Sequence, residues 1–288
     1  MRPLLPVLLL ALVAVAHAAL PPADADAVRQ LLRERKFAEA EAAATKLTLA
    51  HPNEADAFVL LGTVRMNKDD AEGAVKALEK AAELAPGDSE VQRRLGDAYG
   101  RSAQKAGVLS KFGWAKKCLA AYEKAVALDP KSIAARLSLL GYYQNAPGMA
   151  GGGMDKAYAQ AAEIKKLDAD RGRLAFAQLY AADKKWTEAF SELEEVLKAD
   201  PDNYPALFQI GRLAAISGER IDRGMETLQK ALTLSPAAGA AGHDAAHWRL
   251  GMLLEKMGNK PAAKAAYEAA LQLNPKFQQA IEALKKLG

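Results

Sequence analysis

The sequence predicts an all-α fold: a right-handed superhelical solenoid of about seven stacked helix pairs, closed by a C-terminal capping helix. Three observations predict it. A unit of roughly 34 residues recurs, with stops at Pro52, Pro86, Pro130, Pro201, Pro236 and Pro275, and Ala169 standing where a further proline is due. Within a unit, apolar residues return at three- and four-residue spacing in two successive stretches, the pattern of two amphipathic helices. The composition agrees: 50% of residues are hydrophobic but only 6% aromatic, so the core must be built from small aliphatic side chains.

From the N-terminus, Met1-Arg2-Pro3 precedes an apolar run over residues 4–16 and the small-residue site Ala16-His17-Ala18. One positive charge, a short apolar core and an Ala-x-Ala site predict a cleavable signal peptide over residues 1–18, the run being shorter than the roughly 20 residues of a membrane span. Residues 19–288 are then one exported solenoid domain, periplasmic or secreted. No cysteine follows the cleavage site, which excludes lipid attachment there. A degenerate first repeat, 21–54, carries Ala40, Ala44, Leu47 and Pro52.

The clearest repeat is 55–88. Phe58, Leu61 and Val64 share one face of its first helix, and Ala71, Ala74, Val75, Leu78, Ala81 and Ala82 stripe the second. The two helices join at Lys68-Asp69-Asp70, and Pro86 ends the second because proline and its predecessor resist helical geometry. Gly62 and Ala74 place small groups where the two backbones approach. At these residues the chain resembles the tetratricopeptide repeat family: an aromatic, then Leu-Gly, Ala, a bulky residue, Ala and Pro, met by Phe58, Leu61-Gly62, Ala74, Leu78, Ala81 and Pro86. Repeat 244–277 meets the pattern through Leu250-Gly251, Ala263, Tyr267, Ala270 and Pro275. Repeat 204–238 meets it through Ile210-Gly211, Leu228, Ala231 and Pro236, with Gly224 in place of an alanine. Repeat 89–132 has Leu95-Gly96, Tyr99, Tyr122, Ala125 and Pro130 around an insertion. Two degenerate repeats, 133–169 and 170–203, run through Leu139, Tyr143, Ala157 and Ile164, and through Phe176-Ala177, Tyr180, Ala189, Leu193 and Val196. After Pro275 a stripe of Phe277, Ile281 and Leu284 predicts a cap over 277–288 with a polar outer side.

The resemblance implies that first helices line a groove that grips a peptide or protein partner. Carried over by position, that groove holds Val59, Thr63, Met66 and Asn67, then Arg93, Asp97 and Arg101. It continues through Leu137, Gln144 and Asn145, then Arg171, Leu174 and Gln178, and ends on Phe208, Arg212, Trp248 and Met252. Arg93, Arg101, Arg171 and Arg212 are expected to meet carboxylates, and Phe208, Trp248 and Met252 to serve as apolar anchors. The lysine–asparagine clamp by which chaperone-binding members hold a terminal carboxylate is not matched.

Three departures interrupt the period. The spacing from Pro86 to Pro130 is 44 residues, from Pro130 to Ala169 it is 39, and from Pro236 to Pro275 again 39. Between Asp97 and Glu123 no acid occurs, while Arg101, Lys105, Lys111, Lys116 and Lys117 do. Val108, Phe112, Ala115, Leu119 and Tyr122 hold a helical stripe there, so the second helix of that repeat is expected to start early; Trp114 falls off the stripe. Two readings stay open for this insertion, 98–122. It is either a solvated face with Trp114 packed on a neighbouring repeat, or a basic patch of Lys105, Lys111, Trp114, Lys116 and Lys117 for a membrane surface or anionic polymer. The glycine-rich 148–153 lacks the Gly-Lys-Ser/Thr of a phosphate loop and is expected to be a turn.

Nothing in the sequence assembles a catalytic group. His243 and His247 lie four apart without a third ligand and are expected to be packing or surface residues rather than a metal site. The one cysteine, Cys118, excludes an intramolecular disulfide and is expected to be a buried apolar residue. Lys and Arg number 39 against 35 Asp and Glu, and Arg2 of the signal accounts for part of that excess, so global charge gives no reason to expect nucleic acid. The sequence therefore predicts no enzyme, cofactor or metal. It predicts an exported scaffold for a protein or peptide in cell-envelope assembly, with membrane or anionic-polymer binding as the alternative, and leaves its oligomeric state open.

Overall fold

The computed structural model of the chain describes residues 20–236 and 240–287, and the signal-like segment lies outside them. The described residues form fifteen α-helices and one turn of 3-10 helix, with no strand among them. The chain divides into two compact units, one ending at Pro130 and the other beginning at Lys131.

The first unit holds three helix pairs: α1 (Pro22–Arg33) with α2 (Phe37–Ala50), α3 (Ala55–Asn67) with α4 (Ala71–Leu84), and α5 (Ser89–Lys105) with α6 (Val108–Leu128). The second holds α7 (Ile133–Asn145) with α8 (Met154–Leu167), α9 (Ala169–Ala182) with α10 (Trp186–Ala199), α11 (Tyr204–Ser217) with α12 (Ile221–Leu232), and α13 (His243–Lys256) with α14 (Lys260–Leu273), followed by the cap α15 (Gln278–Leu287). These are the seven pairs and the cap that the period predicts.

Local chemistry sets the ends. The Asp70 side chain accepts from Gly73 N at the start of α4, Asp88 from Glu90 N and Val91 N at α5, and Asn259 from Ala262 N at α14, each satisfying an otherwise unpaired donor. Between the members of several pairs the chain turns through left-handed backbone: Arg35, Asp69, Lys184, both Gly218 and Arg220 in the α11–α12 turn and, in the last pair, Gly258.

Pairs close where the Leu-Gly dipeptide meets the partner helix. A Cβ placed on Gly62 would lie 2.5 Å from Cγ of Leu78, so only glycine lets α3 and α4 approach this far. The core of each unit is otherwise alanine and leucine at zero or near-zero exposure: Ala57, Val64, Ala74 and Leu78 in the first, Ala189, Leu193, Ile210 and Leu228 in the second. First helices also touch first helices, α1 with α3, α3 with α5, α9 with α11 and α11 with α13, while no comparable contact joins second helices among the described residues. In each unit the first helices therefore crowd onto an inner side and the second helices spread outward.

Two insertions take definite form. The glycine-rich segment turns once as Gly148–Ala150, Tyr142 Oη donates to Ala150 O at 2.7 Å, and Gly153 N donates to Tyr143 O at 2.8 Å. A Cβ on Gly152 would stand 1.8 Å from Ala146 O, so that glycine is required by the turn alone. The insertion after α5 lengthens α6, which starts early as expected, but its buried stripe differs from the expected one. Cys118, Ala121, Tyr122 and Ala125 are buried, whereas Val108 is 90% exposed and Leu109 fully exposed. Trp114, half-buried, begins this row, its ring 5.8 Å from that of Tyr99. The Val108–Phe112 stripe turns outward because the packed face runs through 114, 118, 121 and 125, one helical row away.

Candidate partner-binding face

The inner helices of the first unit present Asn67, Arg93, Asp97 and Arg101 in very different states. Asn67 is exposed at the end of α3, its amide donating to Thr63 O at 2.9 Å. Arg93 is half-buried and clamped between Glu90 at 2.7 Å and Asp97 at 2.9 Å. Asp97 also accepts from Tyr122 Oη at 2.7 Å. Burial raises the Asp97 carboxyl, opposed by the Tyr122 hydrogen bond and the Arg93 charge. Asp97 thus ties α5 to α6 through Tyr122, and the charges of Arg93 and Asp97 are answered within the chain. Arg101 is exposed, 3.9 Å from Asp69.

The basic insertion is not uniformly basic in space. The acid-free window of α5 and α6 faces α4 and the turn before it, which supply acids from one repeat earlier. Lys105 pairs with Asp69 at 2.6 Å and Lys117 with Glu79 at 3.7 Å. Lys117 also sits over the rings of Trp114 and Tyr99, at 4.9 and 5.2 Å. A cleft of about 630 Å³ runs here, walled by Asp69, Glu72 and Glu79 opposite Lys105, Lys117 and Trp114. Lys111 and Lys116 stay exposed, Lys116 over Phe112 at 4.7 Å. Cys118 is 3% exposed, and burial pushes its thiol up to about 12, which leaves it protonated and unreactive.

In the second unit, Asn145 is exposed at the end of α7 and donates to Gly141 O at 2.8 Å. Arg171 is exposed and 3.5 Å from Asp168. Gln178 donates to Gln144 at 2.6 Å, joining α9 to α7. Phe208 is not an available anchor: only 9% exposed, it stacks on Tyr204 at 6.5 Å within the core, and Tyr204 in turn lies against His243 of the following pair. Trp248 is half-buried, edge-on to Phe277 at 5.5 Å, and Met252 lies one turn further along α13.

Arg212 is half-buried and its Nε donates to Gln209. A small cleft of about 190 Å³ opens beside it, lined by Gln144, Gln178, Trp186 and Ile216. The structure adds a residue that positional transfer passed over. Arg249 precedes Leu250-Gly251 just as Gln209 precedes Ile210-Gly211, and its guanidinium lies 4.0 Å over the Trp248 ring. Its Nη1 reaches only Met252 Sδ at 3.3 Å, and its Nε is buried without an acceptor. Burial, and then the charge of Arg212, push the Arg249 guanidinium down to about 10. Alignment on the Leu-Gly dipeptides, rather than on groove positions, would have found it.

His243 opens α13 with its Nε2 at 2.8 Å from Leu234 O and its ring against Tyr204 at 6.2 Å. His247 is lowered by burial and by His243. Among the described residues no group of three His, Cys, Asp or Glu side chains is placed to hold a metal, and no helix is long and apolar enough to cross a membrane.

Two models described as tetratricopeptide repeat match residues 25–99 and 174–239, and residues 244–277. Among curated proteins none matches the chain by sequence. Solved structures do match. A tetratricopeptide repeat protein from Parabacteroides merdae superposes with a TM-score of 0.63 at 14% identity, over 92% of this chain and 97% of its own. The APC/C hetero-tetramer Cut9–Hcn1 gives 0.56 at 15% identity, over 87% of this chain and 46% of the other. The human IFIT1 dimer with m7Gppp-AAAA gives 0.63 at 16%, over 92% and 62%. At such identity these likenesses establish the fold and leave the ligand open. The repeat models cover more than half of the sequence, in register with the helix pairs and with the Leu-Gly contacts that close them, and the chain belongs to the tetratricopeptide repeat family.

Proposed function

We propose that this chain is an exported scaffold that holds a protein or peptide along the inner side of its first helices, in the assembly of the cell envelope. The observation that carries the reading is the contact of first helix with first helix, α1, α3 and α5 in one unit and α9, α11 and α13 in the other, which supplies a side-chain surface along each run. Proteins of this family are interaction scaffolds, and the signal-like residues 1–18 support export. The test is mild cross-linking of the mature chain in its native compartment, followed by identification of captured proteins. A specific partner, lost when Arg212 and Trp248 are changed to alanine, is expected. Capture of nothing above a control refutes the reading.

A second reading is favoured by one feature, the exposed Val108, Leu109 and Phe112 beside Lys111 and Lys116 at the start of α6. An apolar tip flanked by cations suits the surface of an anionic membrane. Because Lys105 and Lys117 are paired with α4, the apolar tip carries this reading more than the charge does. Co-sedimentation with phosphatidylserine vesicles that is abolished in Val108→Asp/Leu109→Asp is expected under it; equal binding by the variant removes it.

A further inference from the structure

We infer that Arg212 and Arg249 together form a receptor for the carboxylate of an acidic side chain, presented by a peptide lying across α11 and α13. The inference rests on the peptide-binding reading above and names what the peptide must carry.

The first argument is an imbalance of charge. Four other half-buried arginines meet carboxylates: Arg65 meets Glu41 at 3.1 Å, Arg93 meets Glu90 at 2.7 Å, Arg173 meets Glu192 at 3.2 Å and Arg223 meets Glu194 at 2.9 Å. Arg212 and Arg249 are as deeply placed, yet neither has a carboxylate within 4.0 Å among the described residues. Removing a guanidinium from water without an anion is unfavourable, and two guanidiniums near one another compound the cost. Both effects reach Arg249, which is disfavoured by burial and by the Arg212 charge together. Arg212 is likewise disfavoured by burial. A carboxylate placed between them would reverse each penalty.

Donor geometry is the second argument. Gln209 takes the Nε of Arg212, which leaves both of its terminal nitrogens for an outside acceptor. The Arg249 guanidinium lies over the Trp248 ring, 4.0 Å from its centroid, and its buried Nε has no acceptor. Both forks are therefore fixed before any ligand arrives, which reduces the ordering cost on binding. The surroundings indicate what bears the carboxylate. Beyond Arg212 come the amides of Gln178 and Gln144, suited to peptide groups, and a cleft of about 190 Å³ with Trp186 and Ile216 for a neighbouring apolar side chain. A polyanion would need a row of unpaired cations, and Arg171, the other groove arginine of this unit, is already paired with Asp168.

The test is selection of peptides from a random library displayed with blocked C-termini, using the folded mature chain as bait. Selected peptides are expected to share one Asp or Glu, and its change to Asn or Gln should weaken binding to the wild-type chain at least about tenfold. Against Arg212→Gln/Arg249→Gln the same change should have almost no effect, and Lys198→Gln, an exposed control paired with Glu195 on α10 and outside the groove, should behave as wild type. Circular dichroism and Arg212→Lys/Arg249→Lys guard against misfolding, since the lysine variant keeps the charges and should retain a preference for the acid with lower affinity. Peptides bound equally by the Gln variant, or lacking an acid, overturn the receptor while leaving the scaffold reading intact. Peptides that bind only with a free C-terminus overturn the side-chain assignment. Failure to select any peptide overturns both.

Discussion

The close contact of Gly62 with Leu78 can be tested by adding a single methyl group. In Gly62→Ala the new Cβ would lie 2.5 Å from Leu78 Cγ and 3.0 and 3.1 Å from its two Cδ atoms. Leu78 is 1% exposed, so it has no solvent to move into. Overpacking of this kind costs about 1–3 kcal/mol, while replacing a mid-helix glycine by alanine gains about 1 kcal/mol of helix propensity. The net change is a loss of up to about 2 kcal/mol. Gly141 in α7 supplies the control, because a Cβ there meets nothing within 4 Å. Gly141→Ala should show the propensity gain alone, about 1 kcal/mol. Leu78→Ala alone should cost about 2–5 kcal/mol. In the double variant the methyl at 62 occupies part of the vacated space, so the two changes should couple favourably by about 1–3 kcal/mol. Urea unfolding followed by far-UV circular dichroism measures all four proteins. The reasoning fails if Gly62→Ala stabilises as much as Gly141→Ala, or if the cycle closes with coupling under about 0.5 kcal/mol.

Three further expectations test other parts of the chain. Cys118 should resist iodoacetamide at pH 8 in the native protein and react at once in denaturant; rapid native labelling would show that α6 opens. Lys184 holds φ 58° in the turn between α9 and α10, and Lys184→Gly should raise stability by roughly 0.5 kcal/mol, the relief of left-handed strain exceeding the added chain entropy; a loss in thermal melts would show that the turn is not strained. Glu41 is held below its ordinary value by hydrogen bonding from Lys68 and also by Arg65. Its stabilising contribution is therefore present above the unfolded value near pH 4.5 and lost as pH falls through the lower folded value. Glu41→Gln should cost about 1 kcal/mol at pH 7 and converge with wild type in acid, and a cost that persists unchanged at pH 2 would contradict the pairing.

What the sequence revealed of the fold follows from how local the determinants are. The Leu-Gly dipeptide, the alanines and the terminal proline act within one helix pair, so the pairs could be placed from 21 to 277 and the cap recognised beyond them. The orientation of α6 was less legible. Val108, Phe112, Ala115 and Leu119 have helical spacing, and so do Trp114, Cys118, Ala121 and Ala125. Periodicity identifies a helix but does not choose between two adjacent apolar rows; the partner helix does, and it took the row containing Trp114. The pairing of the insertion's charges was not legible for a related reason. Lys105 meets Asp69 and Lys117 meets Glu79, about one repeat back in each case. In a stacked array the neighbour of a side chain lies one period away, so an acid-free stretch of sequence need not be an electropositive surface.

The same principle, applied in reverse, isolates the arginines that matter. Arg93 has Glu90 and Asp97 at one-turn spacing, and Arg171 has Asp168, so local pairing was foreseeable for both. Arg212 is flanked at those spacings by Phe208, Gln209, Ala215 and Ile216, and Arg249 by Ala245, Ala246, Met252 and Leu253. Neither can be neutralised within its own helix, and the neighbouring first helices contribute Gln178 and one another rather than an acid. A chain that pairs Arg65 with Glu41 and Arg223 with Glu194 across repeats has the means to supply such a partner. Among the described residues none stands beside these two half-buried guanidiniums, and the proposed acidic peptide would supply it, which separates the second half of α11 and the middle of α13 from the rest of the inner side.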